Sequence, residues 1–365
     1  MSEQGLVEVR NVFTHVNLHR DELTAFWIEL LLGRSNPLVV AGKSVILDFS
    51  GARLAAQPGR QPFGQLSGDE LREAEDRMLL QGIQVIGMGG GRWDDHRVGH
   101  RRTCTTMLVA KTMGVYQDPA FRRILQQTQE QDVYGRGYFM DLGAMISARA
   151  AREPDPHEVY LAFKRSLDDI LAEERKFVAA LDELDGAKVQ TVSCRSGTRT
   201  LLVVESDNNK TPRAVRRKFG VDLLILQQSD GHTLLFGKGL PPSVLKDLVR
   251  VLRIKEARAS GKRGQLPKWG PLEAEKSPLS PPKWSLHLAG GFVFNGSLTA
   301  PGVPPTRLTL SAVVSAARLA LDDTDFGKRC PPEGSGKKCP RSNCPLYGAG
   351  LLRCRHRRYK EAQRG

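Results

Sequence analysis

Short apolar runs and helical repeats alternate along the first 150 residues of the chain. Val7–Phe13, Ser44–Phe49 and Ile83–Met88 are apolar runs of strand length, and we expect them to form buried strands. Apolar positions that recur every three to four residues predict helices at Asp21–Leu32, Ser67–Gln81, Thr103–Met113 and Pro119–Gln131. Because strands alternate with helices, this region is predicted to be an α/β domain with a parallel sheet covered on both faces.

A long charged helix is predicted to separate this region from a second α/β region. The helix runs from about Asp155 to Leu184, and we interpret it as a connector. The Pro-, Lys- and Gly-rich segment Glu256–Lys283 predicts a loop or linker. The other predicted elements are strands at Val189–Ser193, Leu201–Glu205, Leu223–Gln227 and Trp284–Phe294, and helices at Ser243–Leu252 and Leu308–Leu321.

Positive charge is concentrated in the last forty residues of the sequence. The formal net charge is +14, and residues 326–365 contain eleven Lys and Arg against two Glu. Such an excess favours a polyanionic partner, most often nucleic acid, although a solvated surface is the simpler alternative. No stretch approaches the roughly 20 apolar residues of a membrane helix, and the first residues do not resemble a signal peptide. We therefore expect no membrane association and a cytoplasmic location.

Histidine and acidic residues follow three consecutive predicted strands and one predicted helix. They are His15, His19 and Asp21 after the first strand, Asp48 at the end of the second, Asp94 and Asp95 after the third, and Asp132 at the helix end. Open α/β sheets bind ligands at the carboxyl ends of their strands, so these side chains are expected to converge. Imidazoles and carboxylates together suit a pair of Mn²⁺ or similar ions. Taken singly, each would more often be a helix cap or a structural residue.

Several short motifs resemble those of the DHH phosphoesterase superfamily. His15-x-x-x-His19-x-Asp21 resembles the first motif, with His in place of its first Asp. Asp48 and Asp132 resemble the second and fourth motifs. The resemblance covers roughly residues 10–325, and it implies a parallel-sheet catalytic domain followed by a smaller α/β domain.

The third motif shows both the resemblance and a departure from it. Asp94-Asp95-His96 resembles the Asp-His-His signature, but Asp95 stands where the family has its first tandem His. His19 and the acidic Glu22 look like the branch typified by the melanocyte-proliferating-gene exonucleases. The resemblance implies a metal-dependent nuclease, while Asp95 puts its metal preference and activity in question.

The resemblance also implies roles for individual residues. One ion would be held by His15, His19 and Asp48, and the other by Asp21, Asp48, Asp95 and Asp132, with Asp48 bridging. The ions would be Mn²⁺, with Mg²⁺ or Co²⁺ as alternatives. His96 would contact the scissile phosphate or act as a general acid. His100, flanked by Arg97 and Arg101, is a candidate phosphate contact, although a solvated basic loop is an equal alternative.

The second α/β region has its own candidate phosphate site. Residues 284–296, with Thr306-Arg307 and the helix after them, loosely resemble the C-terminal Gly-rich signature of that branch. Gly290 and Gly291 would let backbone amides approach a substrate phosphate, and His287 and Arg307 would clamp it. Glycines in such a segment are as often simply turn residues.

Four of the six cysteines lie in the last forty residues. Cys330, Cys339, Cys344 and Cys354 are separated by eight, four and nine residues. Four thiolates suit Zn²⁺ or an iron–sulfur cluster, although a disordered basic tail with unpaired thiols is the alternative. Cys104 and Cys194 stand alone, and we expect buried free thiols there.

These patterns together predict an α/β, two-domain DHH-like phosphoesterase with a Cys-rich tail. The predicted segments are a metal-binding catalytic domain at 1–150, a connector helix at 151–186, a substrate-binding α/β domain at 187–325 and a basic four-Cys tail at 326–365. The favoured function is hydrolysis of RNA or DNA phosphodiesters. Two alternatives are a phosphodiesterase of small or cyclic nucleotides and a nucleic-acid-binding protein with a degenerate metal site.

Overall fold

The computed structural model describes residues 8–13, 19–32, 40–48, 68–87, 92–95, 102–153, 156–194, 197–237, 239–261, 270–277, 283–296, 302–321 and 354. The chain forms two compact units, unit 1 (Met1–Val178) and unit 2 (Ala179–Gly365). Both contain strands and helices, which confirms the α/β class. The finer division into four segments stays a prediction.

The described residues of unit 1 include a three-stranded parallel sheet. Its strands are β1 (Glu8–Phe13), β2 (Val40–Asp48) and β3 (Ile83–Val85), and β1 lies in the centre. Phe13 is in register with Asp48 on one side and with Val85 on the other, so the three strands end at one edge. The predicted parallel pairing is therefore confirmed for these strands. The strand predicted to reach Met88 ends at Val85, because Gly87 turns the chain at φ +65°.

The first helix of unit 1 is buried on every side. The helices are α1 (Arg20–Leu32), α2 (Gly68–Leu80), α3 (Thr105–Thr112), α4 (Arg122–Tyr134), α5 (Leu142–Ala150) and α6 (Pro156–Glu183), the end of which belongs to unit 2. α1 packs against α3, α4 and α5, and it also contacts α6. Trp27 of α1 donates to Asp168 of α6 over 2.8 Å, and Phe26 meets Tyr160 edge to face. Residues Arg20–Glu29 of α1 are all buried, so the helix lies in the core although it carries charged side chains.

The described elements of unit 2 are β4 (Gln190–Cys194), β5 (Gly197–Glu205), α7 (Thr211–Lys218), β6 (Leu223–Gln227), β7 (Thr233–Phe236), α8 (Pro242–Ala259), β8 (Ser285–His287), β9 (Phe292–Asn295) and α9 (Leu310–Leu321). These six described strands form one mixed sheet in the order β4-β5-β6-β7-β9-β8. β5 and β6 pair in parallel, and the other neighbours are antiparallel. One face of the sheet forms the core of the unit with α8 and α9.

Two sequence predictions in unit 2 need correction. The single strand predicted over Trp284–Phe294 is a hairpin, because Gly291 has φ +72° and lets the chain reverse between β8 and β9. The linker predicted to begin at Glu256 begins later, since α8 continues to Ala259. Buried Glu256 stabilises this last part of α8, because it accepts a hydrogen bond from Trp284 Nε1 over 3.1 Å.

None of the helices in the described part of the chain has the length and apolar character needed to cross a bilayer.

Candidate metal centre

Asp21 joins the start of α1 to the start of α3. Its Oδ2 accepts the Thr105 N–H and its Oδ1 accepts the Thr106 N–H, each over 2.8 Å. The Thr106 hydroxyl donates to the Asp21 carbonyl over 2.6 Å. Cys104 is the N-cap residue of α3, but its side chain does not cap the helix. Asp21 therefore satisfies the first amides of α3 and places a carboxylate at the positive end of the helix dipole.

Three potential metal ligands converge around this carboxylate. Ligand atoms of Asp21, Cys104 and Asp132 all lie within 4.8 Å of one another. Asp21 and Cys104 are buried, and Asp132, on α4, is exposed. Burial raises the pKa of Asp21, and the charge of Asp95 raises it further. Burial, together with the charge of Asp21, likewise raises the pKa of the Cys104 thiol. A cation among these groups would therefore be favourable.

Asp95 is connected to the same cluster through Thr105. The Thr105 hydroxyl donates to Asp95 Oδ1 over 2.9 Å, while the Thr105 amide donates to Asp21. One residue thus orients two carboxylates. Asp94 is also buried, with 4% of its surface exposed.

Glu22 lies beside the cluster in a very confined space. Its Oε2 accepts the His19 amide over 3.2 Å at the start of α1. Burial, followed by the charges of Asp21 and Asp132, raises the pKa of Glu22 to about 8. A Cβ at Gly87 would lie 2.8 Å from Glu22 Cγ, and φ is +65° there, so only glycine fits.

Arg20 links the two helices that carry the clustered carboxylates. It precedes Asp21, and its guanidinium donates to Gln131, next to Asp132, over 3.3 Å and to Gln127 over 3.4 Å. Arg20 is 8% exposed. Burial lowers its pKa, and the charge of Asp141 acts in the opposite direction. The guanidinium thus fixes α1 against α4 at the level of the cluster.

The structure brings together part of the set of residues predicted from the sequence. Asp21, Asp95 and Asp132 are connected as described, and exposed His19 precedes α1. Asp48 ends β2 as predicted, but its side chain lies outside the described residues. His15, His96, Arg97, His100, Arg101, Cys330, Cys339 and Cys344 also lie outside them, and of the tail cysteines Cys354 alone is described, as buried.

Sequence reasoning assigned no site role to Cys104, Glu22 and Arg20, although Glu22 was part of the motif resemblance. Cys104 was correctly expected to be buried, yet it was not expected to lie between two carboxylates. Its sequence signal is its place in the first turn of the predicted helix Thr103–Met113, and that place does not identify its partners.

The candidate phosphate residues of unit 2 form a self-contained turn. The Gly290 amide donates to His287 Nδ1 over 3.0 Å, which places the imidazole proton on Nε2 when the ring is neutral. The Gly291 amide donates to the Leu288 carbonyl over 3.1 Å. Both amides are thus used within the turn. The Arg307 side chain is exposed, and its amide donates to Glu256 Oε1 over 3.0 Å. Phosphate binding by these residues stays a prediction.

The donor set around Asp21 fits a divalent cation. Ligands about 2.0–2.3 Å from one ion are about 3–4 Å apart, which is compatible with atoms that all lie within 4.8 Å. Each oxygen of Asp21 accepts one amide and still offers a lone pair. Carboxylates alone suit Mn²⁺ or Mg²⁺, and the thiol of Cys104 shifts the preference towards softer ions.

Comparison with known proteins gives no family for the chain. No family model matches it, and no curated protein matches it. Among solved structures, an uncharacterized protein from Helicobacter pylori G27 aligns with 64% of this chain and 86% of its own, at 12% identity and a TM-score of 0.24. A similarity this low carries no argument about fold or function.

Proposed function

We propose that unit 1 is a divalent-metal-dependent phosphoesterase of the DHH type that hydrolyses phosphodiesters of RNA or DNA. The observation that carries the proposal is the convergence of Asp21, Cys104 and Asp132 at the start of α3, with Asp95 connected through Thr105. Asp21, Asp95 and Asp132 are three positions to which the motif resemblance independently assigns metal ligands. This agreement supports the proposal because the three residues are far apart in sequence.

The residues of the chain would act mainly by positioning. Asp21 and Asp132 would bind the cation, which supplies an activated water and stabilises negative charge on the phosphoryl oxygens. Thr105 would hold both Asp21 and Asp95 in place, as outer ligands commonly do at metal sites. Arg20 would keep α1 and α4 at a fixed separation. The roles of His96 and His100 as proton donor and phosphate contact remain part of the proposal.

The basic tail, residues 326–365, would tether the protein to nucleic acid. Cys330, Cys339, Cys344 and Cys354 would bind Zn²⁺ or an iron–sulfur cluster, and the surrounding Lys and Arg would contact phosphates. The net charge of +14 supports a substrate with a long phosphate backbone. A cytoplasmic location is proposed with it.

The proposal is tested by incubating labelled single-stranded RNA and DNA with the full chain and Mn²⁺, Mg²⁺ or Co²⁺. We expect mononucleotide release, and a loss of about 100-fold or more in Asp132→Asn, because a direct ligand should matter at least as much as an outer one. Asp132 is preferable to Asp21 because its exposure makes misfolding a smaller concern. Asp169→Asn on the exposed face of α6 is the matched control.

Three results would contradict the proposal. Unchanged turnover in Asp132→Asn would place the chemistry elsewhere. Faster hydrolysis of dinucleotides or cyclic nucleotides than of longer strands would favour the small-nucleotide phosphodiesterase. Tight, salt-sensitive binding without turnover in any ion would favour the degenerate nucleic-acid-binding protein.

A further inference from the structure

Three consecutive large apolar side chains are almost fully exposed between α4 and α5. Tyr138, Phe139 and Met140 are 84%, 95% and 79% exposed. We name Gly135–Met140 the aromatic loop. Single exposed apolar residues are ordinary on a protein surface, but adjacent ones indicate a contact surface.

The backbone of the aromatic loop is fixed at both ends. Gly135 ends α4 in the left-handed conformation at φ +60°, and the Arg136 amide donates to the Glu130 carbonyl over 2.9 Å. At the other end, Asp141 Oδ2 accepts the Tyr138 amide over 2.7 Å, and its Oδ1 accepts the Ala144 amide over 2.8 Å. The hydrogen bonds therefore hold the backbone in place while the three side chains point into solvent.

Packing around Gln131 connects the aromatic loop to the candidate metal centre. Asp132 lies three residues before the loop, on the last turns of α4. The preceding Gln131 accepts a hydrogen bond from Arg20, and a Cβ at Gly143 would lie 1.9 Å from its amide nitrogen. Gln131 is thus packed between α1 and the first turn of α5. The distance from the loop to the carboxylate cluster is consequently set by packed side chains.

The chemistry of the loop matches nucleobases. Arg136 lies over the ring of Tyr134, with 5.5 Å from its Cζ to the ring centre. Residues 133–140 include this arginine and no acidic residue, in a chain of net charge +14. Aromatic rings next to a cation are the usual means of binding single strands without sequence preference.

We propose that the aromatic loop binds the bases of a single-stranded nucleic acid by stacking, next to the phosphodiester held at the Asp21–Asp132 cluster. The position of the phosphodiester rests on the function proposed above, whereas stacking on the loop does not. Tyr138 and Phe139 provide the rings, and Arg136 provides charge for the adjacent phosphates.

The test is equilibrium binding of a fluorescein-labelled dT 12-mer to the full chain in EDTA, where metal-dependent turnover is suppressed. We expect the double variant Tyr138→Ala/Phe139→Ala to raise Kd about tenfold or more. Tyr138→Phe/Phe139→Tyr, which keeps both rings, should bind like the parent. Leu80→Ala, on a residue that is 75% exposed on α2, is the matched control for loss of exposed apolar surface.

The outcomes separate this inference from the proposed function. An unchanged Kd in the double alanine variant overturns it, and so does an equal weakening of binding to an abasic 12-mer. Conversion of a dimer into a monomer by the double variant, with no change in Kd, also overturns it in favour of contact between copies. Loop-dependent binding in a chain without turnover would support stacking while the phosphoesterase proposal fails. Loss of turnover in Asp132→Asn, together with retained binding that still depends on the aromatic loop, would support both.

Discussion

The pH dependence of stability should be governed in part by one buried acid, Glu29. It lies on α1 and accepts a hydrogen bond from Gln84 Nε2 of β3. Glu29 is 5% exposed and Gln84 is 2% exposed. Among the described residues no group bonds to Glu29 Oε2 or Gln84 Oε1. Burial raises the pKa of Glu29 to about 8, although the Gln84 amide lowers it in part. Glu29 is therefore expected to be protonated in the folded chain at neutral pH.

The sign and size of the effect follow from proton binding in the two states. Between the ordinary pKa of 4.5 and the folded value of about 8, the unfolded chain loses a proton that the folded chain keeps. The free energy of unfolding should fall by about 1.4 kcal/mol per pH unit across this window, and by about 4–5 kcal/mol in all. Below this pH window the titration of Glu29 should not affect the free energy of unfolding, and above the window its effect should be constant. Glu29 is only 5% exposed, so solvent screening reduces the effect little.

The perturbation that isolates Glu29 is Glu29→Gln, which keeps the shape and an acceptor for Gln84 but removes the titration. The assay is urea unfolding from pH 5 to pH 9 by tryptophan fluorescence, with the transition of unit 1 assigned by hydrogen exchange of α1 peptides. The difference in free energy of unfolding between the parent and Glu29→Gln should fall with rising pH at about 1.4 kcal/mol per pH unit. Asp169→Asn, at an exposed position, should leave the slope unchanged. A difference that stays flat or grows with pH would refute the reasoning.

Three further predictions concern packing and metal binding. In urea unfolding, Gly87→Ala should lower the free energy of unfolding by about 1–3 kcal/mol more than Gly114→Ala. Both glycines have positive φ, but a Cβ at Gly87 would lie 2.8 Å from Glu22 Cγ, whereas a Cβ at Gly114 meets nothing within 4 Å. Equal losses in the two variants would argue against close packing at Gly87. Arg253→Met should lower the free energy of unfolding of unit 2 by at least about 3 kcal/mol, because the buried guanidinium donates to four backbone carbonyls. A decrease below about 1 kcal/mol would contradict this prediction. Metal analysis should find zinc or iron in an amount that corresponds to about one metal site per chain. This metal should be lost in Cys339→Ser and kept in Cys194→Ser. Identical metal contents in the two variants would exclude a metal site in the tail.

Periodicity was enough to predict the framework of unit 1. The apolar runs predicted the strands of a parallel sheet, and the apolar spacing predicted the helix α1 although not its burial. Because parallel strands end at one edge, Asp21 and Asp95 could be expected near each other without any knowledge of the loops. Asp132 could be placed only at a helix end. Its convergence with Asp21 depends on how α4 packs against α1, and sequence spacing carries no information on that packing.

The turn before β9 shows why other features could not be predicted. Trp284–Phe294 is apolar enough to be one strand, and its glycines can occur in a strand bulge or in a turn. The reversal depends on the positive φ of Gly291 and on Gly290, where a Cβ would lie 2.4 Å from the Phe292 ring and 2.6 Å from His287 Nδ1. That contact exists only after the strands have paired. Cys104 was unpredictable for a similar reason, because a lone cysteine has no spacing to its partners.

The two hydrogen bonds that Asp21 accepts link the folding of α3 to the chemistry proposed for the site. Its two oxygens accept the first amides of α3, so their positions are fixed by the helix before any cation binds. The helix dipole favours the ionised carboxylate, whereas burial and Asp95 oppose it. A cation shared with Asp132 would relieve that opposition and would bind to ligands already oriented, which is the arrangement a metal-dependent hydrolase requires. It follows that loss of the Thr105 or Thr106 contacts should weaken metal binding and α3 together, whereas loss of Asp132 should weaken metal binding alone.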